Sequence, residues 1–180
     1  MIFNKTNIDN CFKIIPKKNS DIRGSFHRSF CKKKLKEKKI KFDIKQCNIS
    51  INTKKYTLRG FHFQRKPYKE SKILMLICGS IYNVTIDVRK NSKTYLKKYI
   101  TKMSLKKNEA IFIPAGCANA FLTLEKNTII HYYMNSYFEE NLQKNYSGFK
   151  YNDKYFATKW PHKPLVISKK DNSYNSFLKI

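Results

Sequence analysis

An all-β chain, folded as an antiparallel sandwich or barrel with short peripheral helices, is what this sequence predicts. Three observations predict it. From residue 42 onward, short alternating or apolar runs follow one another, rich in the Ile, Val, Phe and Tyr that suit a pleated, half-buried surface. Turn residues separate them, as at Gly79-Ser80 and Pro114-Ala115-Gly116. Helix-forming stretches are few and short. At 180 residues, with no internal repeat and no linker, the chain reads as a single domain over 1–180 with its own core.

Taken in order, residues 1–22 hold one apolar patch, Cys11 to Ile15, before a Pro16-Lys-Lys-Asn-Ser turn. DIRGSFHRSF (Asp21 to Phe30) follows, where Arg23-Gly24 precedes alternating Phe26 and Phe30. KKKLKEKKIK (Lys32 to Lys41) offers only Leu35 and Ile40 as apolar contacts, so it reads as a solvated helix or loop. FDIKQCNIS alternates and places Phe42, Ile44, Gln46, Asn48 and Ser50 on one side, a polar row suited to a wet cavity. Further strands are expected at Leu58–Gln64, Lys72–Cys78, Ile81–Val88, KKYITKMSL, Glu109–Ile113, NAFLTL and Thr128–Met134. Phe138–Asn145 is the second candidate helical turn, and the tail from Trp160 is irregular.

Composition narrows the function classes. No apolar run approaches the ~18 residues of a membrane span, and no apolar leader follows Met1. Five scattered cysteines without CxxC spacing argue for reduced thiols in a cytoplasm. The formal net charge of +26 invites a nucleic-acid reading. However, the cations are mostly lysines spread over the whole length, whereas base and phosphate readers favour arginine forks. Abundant Lys, Asn and Ile is also what AT-rich codons produce. Attraction to polyanions, a diphosphate included, follows in any case.

The informative residues are polar ones inside strands, because inward side chains of a small barrel meet in one cavity. They are Gln46, Asn48, His62, Lys72, Asn83, Asn119 and Tyr132, although periodicity alone does not separate Tyr132 from His131 and Tyr133. Within LRGFHFQ, strict alternation would place Arg59 and His62 on opposite faces. Gly60 between them can supply a bulge that brings both into the cavity. A histidine in an apolar wall beside a cation can act as acid or base, since histidine titrates near neutrality. By itself the pattern fits a hydrogen-bonded core histidine as well. The four histidines contain no HxH, so no metal is expected, and phosphate-loop, GxSxG and dinucleotide fingerprints are absent.

DIRGSF, QCNIS, TLRGFHFQ, ESKILMLICGSIYNVTIDVRKNSKTY, IFIPAGCANAF, YYMNSYF, YNDKYFATKWP and ISKKD stand in this order between about residues 21 and 171. Together they resemble the dTDP-4-dehydrorhamnose 3,5-epimerase family, cofactor-free enzymes of the cupin type. The resemblance implies a double-stranded β-helix (jelly-roll) barrel, a homodimer whose nucleotide sites borrow a segment from the partner, and a nucleotide-linked 4-keto-6-deoxy sugar as substrate. It also implies roles. His62 is the base, Asp171 orients its imidazole, Tyr132 is the acid across the ring, and Lys72 stabilises the enolate. Arg59, Gln46 and Asn48 position sugar and diphosphate, and Arg23 and Phe26 reach the nucleotide. Three departures from the family pattern involve four positions. Asn119 and Asn83 replace a second His–Asp pair, Arg28 replaces a glutamate expected near the nucleobase, and Ala120 replaces a glycine, adding a methyl expected to crowd the cavity. The alternatives left open are a single-centre epimerase, a 3,4-ketoisomerase, or a non-catalytic sugar-nucleotide binder.

Overall fold

The computed structural model describes residues 1–65, 70–138 and 146–179. Among these the chain runs β1 (Ile2–Lys5), β2 (Phe12–Ile15), β3 (Lys18–Asp21), β4 (Gly24–His27), α1 (Lys32–Glu37), β5 (Gln46–Asn52), β6 (Leu58–Gln64), β7 (Lys72–Cys78), β8 (Ser80–Asp87), β9 (Lys98–Ser104), β10 (Ala110–Ile113), β11 (Cys117–Thr123), β12 (Thr128–Met134), β13 (Tyr146–Gly148) and α2 (Lys169–Ser173). Six strands form one sheet in the order β1-β2-β10-β7-β12-β5, and five form a second in the order β13-β6-β11-β8-β9. The two sheets make the jelly-roll barrel that the sequence predicts, and β3–β4 is a separate hairpin.

Three apolar layers explain the strand sequences. Between the sheets lie Leu74, Leu76, Ile111, Ile113 and Ile130 from the six-stranded sheet, against Ile81, Met103, Cys117 and Phe121 from the other. The outer face of the six-stranded sheet carries Phe12, Ile14, Ile73, Met75, Phe112 and Tyr133, and is covered by Leu35, Ile40 and Phe42. α1 is therefore a solvated helix with one buried residue, Leu35. The outer face of the five-stranded sheet carries Phe61, Val84, Ile86, Ala118 and Ala120, covered by Phe149, Phe156, Trp160 and Phe177. With both faces buried, β7 and β11 read as continuous apolar runs instead of alternating ones.

Some expectations need correction. Residues before 28 hold four strands, where the sequence suggested only a patch and a turn. Residues 42–45 are not strand; β5 begins at Gln46, and Phe42 packs on the outer layer. The Ala120 methyl belongs to the outer cluster with Phe61 and Val84 and does not enter the cavity. Seven of the eight residues of the expected helical turn at Phe138–Asn145 lie outside the described residues.

The DVRKNSKTY run, distinctive in sequence, folds around a buried carboxylate. Asp87, at the end of β8, accepts from the Arg89 backbone N–H (3.1 Å) and guanidinium (2.7 and 2.8 Å), and from the hydroxyls of Ser92 (2.5 Å) and Thr94 (2.6 Å). Burial alone would raise its pKa, but these donors outweigh burial and bring it down to about 2. A depressed carboxylate contributes its stability above its unfolded value near 4, and that stability is lost as pH falls toward 2. The unmodified protein should therefore lose roughly 2 kcal/mol more than Asp87→Asn between pH 4 and pH 2. At pH 7 the variant should be less stable by roughly 3 kcal/mol, because Arg89 loses its buried partner. Denaturant unfolding at the three pH values checks both.

Candidate active site

β6 carries the centre of the site, and its geometry follows from Gly60. Asn119 on β11 pairs with His62 but Phe121 pairs with Arg59, so β6 holds one residue more than its neighbour across this stretch. The extra residue is accommodated at Gly60, whose φ is +107°. A Cβ there would collide with the Asn119 carbonyl oxygen and with Ala120. The bulge turns Phe61 into the outer layer, stacked on Phe149 at 4.7 Å, and leaves Arg59 and His62 facing one cavity.

That cavity, of about 360 Å³, lies between the sheets. From the five-stranded side come Arg59, His62, Asn119 and Tyr146; from the six-stranded side come Asn48, Lys72 and Tyr132. His131 and Tyr133 flank Tyr132 but do not line the cavity, which resolves the three-way choice the sequence leaves open. Burial raises the Tyr132 phenol above its usual range, and the positive charge of Arg59 works against that rise. Arg59 is held by a bond from its Nε to Asn52 Oδ1 at 2.9 Å.

His62 Nε2 lies 2.7 Å from Asp171 Oδ1, and the Gly60 N–H donates to Asp171 Oδ2 at 3.0 Å. Asp171 arrives on α2, where Ser168 caps the first turn by accepting from the Asp171 N–H at 3.0 Å. Burial pulls the Asp171 carboxyl up, but the bonds from His62 and Gly60 prevail and hold it below the usual carboxylate range. An ionised carboxylate only accepts, so in the neutral imidazole Nε2 carries the proton and Nδ1 keeps the lone pair. The ring of Tyr174 packs edge-on against the imidazole, 6.0 Å between centroids.

Other expected residues fall outside the lining. Asn83 is fully buried behind Asn119, which donates to its Oδ1 at 2.8 Å and to the Val84 carbonyl at 3.0 Å. The replaced pair is thus hydrogen-bonded to itself, and only Asn119 faces the cavity. Gln46 stands just outside, donating to Asn48 Oδ1 at 3.1 Å and accepting from the Phe138 N–H at 2.6 Å. Arg23, Phe26 and Arg28 do not line this cavity. Arg23 pairs with Asp21 on its own hairpin, Phe26 is exposed, and Arg28 borders a separate small recess with His27 and Lys34.

The sequence reading missed Glu70 and Tyr146. Glu70 accepts from Lys72 Nζ (3.1 Å), Gln64 Nε2 (3.0 Å) and the Tyr146 hydroxyl (3.1 Å). Its position two residues before Lys72 was the one available signal; Tyr146 lies on a three-residue strand with no pattern to read. Among the described residues, no three His, Cys, Asp or Glu side chains converge as a metal site requires.

A carboxylate-held imidazole on one sheet and a partly buried phenol on the other face a single cavity, and together they define a jelly-roll protein with its candidate site between the sheets. The chain belongs to the dTDP-4-dehydrorhamnose 3,5-epimerase family, whose model matches residues 5–179. It is 30% identical over 181 residues to the dTDP-4-dehydrorhamnose 3,5-epimerase of Sinorhizobium fredii, covering all of this chain and 91% of that one. It is 32% identical over 176 residues to the enzyme of that name from Methanothermobacter thermautotrophicus, covering 96% and 92%. In structure it resembles the Bacillus anthracis dTDP-4-dehydrorhamnose 3,5-epimerase, solved with TDP and PPi bound, at a TM-score of 0.92 and 30% identity, covering 98% and 99%. It also resembles the Legionella pneumophila epimerase in complex with dTDP-4-keto-L-rhamnose, at a TM-score of 0.91 and 28% identity, covering 99% and 94%.

Asp171→Asn tests the dyad. An amide offers one acceptor oxygen where two N–H groups, Gly60 and His62, now donate. If its oxygen keeps Gly60, its NH2 faces Nε2 and moves the imidazole proton to Nδ1, which removes the lone pair. Turnover should fall by roughly 10²–10⁴-fold while dTDP binding, measured by calorimetry, is retained. Turnover close to the parent's would show that the carboxylate does not set the tautomer.

Proposed function

We propose that this isomerase inverts C3, C5 or both of a dTDP-linked 4-keto-6-deoxy sugar. The observation that carries the reading is His62, fixed by Asp171 on the five-stranded sheet, facing across the cavity the sheet that bears Tyr132. A hydrogen on carbon beside a ketone is acidic because the carbanion delocalises onto oxygen. Inversion then needs a base on one face, a proton donor on the other, and a cation at the oxygen. In this reading His62 Nδ1 takes the proton, Lys72 stabilises the enolate oxygen, and Tyr132 returns a proton from the opposite side. Arg59 eases the last step, since it favours the phenolate that Tyr132 becomes. The ligands of the Bacillus and Legionella relatives support a thymidine nucleotide sugar as the substrate class.

Arg59, Asn48 and Gln46 would hold sugar and diphosphate. Ile22 and Phe26 stand exposed at and near the tip of the β3–β4 hairpin, away from their own barrel. This supports a homodimer in which the hairpin, with Arg23, reaches the partner's nucleotide. Arg28 on the same segment would then weigh on nucleobase preference. Free cysteines fit a reducing cytoplasm.

Incubation with dTDP-4-keto-6-deoxyglucose in deuterated water tests the reading, with labelling followed at C3 and C5. Deuterium should enter beside the ketone, and His62→Ala should slow its entry by roughly 10²–10⁴-fold. The neutral Asn83–Asn119 pair supplies hydrogen bonds but no titratable charge. Entry at C3 and C5 should therefore be slow or unequal. Rapid, equal labelling of both carbons would show that this pair does not limit the enzyme; labelling by His62→Ala at the parent rate would remove His62 as the base.

A further inference from the structure

Glu70 joins the two sheets at the cavity. Its Oε1 accepts from Lys72 Nζ of the six-stranded sheet, and its Oε2 accepts from Tyr146 and Gln64 of the five-stranded sheet. The carboxylate is buried, and Glu70, Lys72 and Tyr146 all line the same cavity as His62. Cross-strand register places this group beside the base: on β13, Gly148 stands opposite His62 and Tyr146 opposite Gln64, two residues further along the same face.

The arrangement sorts donors from acceptors. One ammonium N–H of Lys72 goes to Glu70, which leaves its others to donate into the cavity. The Tyr146 proton also goes to Glu70, so its oxygen meets a ligand as an acceptor. Burial first, and then the charge of Glu70, raise the Tyr146 phenol, which keeps that proton in place. The cavity thus presents a cationic donor and a neutral acceptor tied to one carboxylate. An α-hydroxyketone presents the complement: a carbonyl oxygen that accepts and, on the next carbon, a hydroxyl that donates. In a 4-keto-6-deoxy sugar only C3 carries such a hydroxyl, because C5 bears the ring oxygen and a methyl group.

We propose that Tyr146, oriented by Glu70, is a specificity-determining residue that recognises the hydroxyl beside the substrate ketone while Lys72 holds the ketone oxygen. This rests on the functional reading above. The hydroxyl contact fixes which way the ring faces His62, so it acts on the reaction at C5 as well as at C3.

The test compares deuterium entry at C5 for dTDP-4-keto-6-deoxyglucose and for its 3-deoxy analogue. The unmodified enzyme should favour the hydroxylated sugar by about tenfold in kcat/KM, the order of one well-placed hydrogen bond. Tyr146→Phe, which removes only the hydroxyl, should treat the two sugars within about twofold. Glu70→Gln should narrow the preference likewise, since the amide that replaces the carboxylate cannot accept from both Lys72 and Tyr146 at separate oxygens; it carries the test alone if the Phe variant does not fold. A parent enzyme indifferent to the hydroxyl overturns the assignment. So does a variant that keeps the parent's preference, even though labelling proceeds. No labelling of either sugar by the parent would instead overturn the functional reading, and this inference with it.

Discussion

The single extra residue in β6 is the constraint on which the site depends. Because Gly60 takes it up at positive φ, the alternation of β6 is reset between Arg59 and His62, and both reach the cavity. The same reset sends Phe61 to the opposite face, where it anchors the aromatic cluster of Phe149, Phe156 and Trp160 that closes the outer layer. It also takes the Gly60 N–H out of the ladder and gives it to Asp171, the residue that holds His62. Imidazole, guanidinium, the carboxylate that holds the imidazole and the outer core are thereby coupled through one backbone position that has no room for a side chain.

How much of this was legible depends on what each residue's local sequence reveals. His62, Lys72, Asn119 and Tyr132 stand out because a polar group inside an apolar strand requires a reason. The bulge could be anticipated because glycine lies between two residues that alternation would have separated. Asp171 was legible only through the family resemblance: it is 109 residues from His62, and nothing near ISKKD indicates its partner. β3 and β4 escaped notice because β3 is exposed throughout and β4 nearly so, leaving no buried face to impose a period. Glu70 lies just outside β7, and Tyr146 reaches the cavity only through the pairing of β13 with β6, so long-range topology, not local pattern, brings them together.

The Asn83–Asn119 pair gives one wall of the site polarity without charge. Asn119 satisfies its amide within the sheet, on Asn83 and the Val84 carbonyl, so no buried donor of that amide is left unpaired. The pair is neutral, so it adds no titratable group to the wall shared with His62. Among the described residues, the cavity sets the His62 imidazole on the five-stranded sheet against the Tyr132 phenol opposite, with Tyr146 committed to Glu70 and Tyr174 packed on the imidazole.

Arg59 and Lys72, cations on facing walls of the cavity, are consequently not equivalent. Lys72 shares its charge with a buried carboxylate at 3.1 Å, so the field it projects is partly cancelled, and its value lies in a fixed position. Arg59 is held by the neutral amide of Asn52, which orients the guanidinium without offsetting its charge. A diphosphate, with the larger and more diffuse negative charge, would be matched by this guanidinium, which pairs with no carboxylate among the described residues and whose planar fork suits phosphate oxygens. A ketone oxygen that becomes negative only in the transition state is better served by the compensated ammonium. An uncompensated cation there would bind the ground state of any anion as tightly, whereas a preorganised donor acts where charge develops. Under the proposed function, a division of labour between Arg59 and Lys72 would follow from their partners, Asn52 and Glu70.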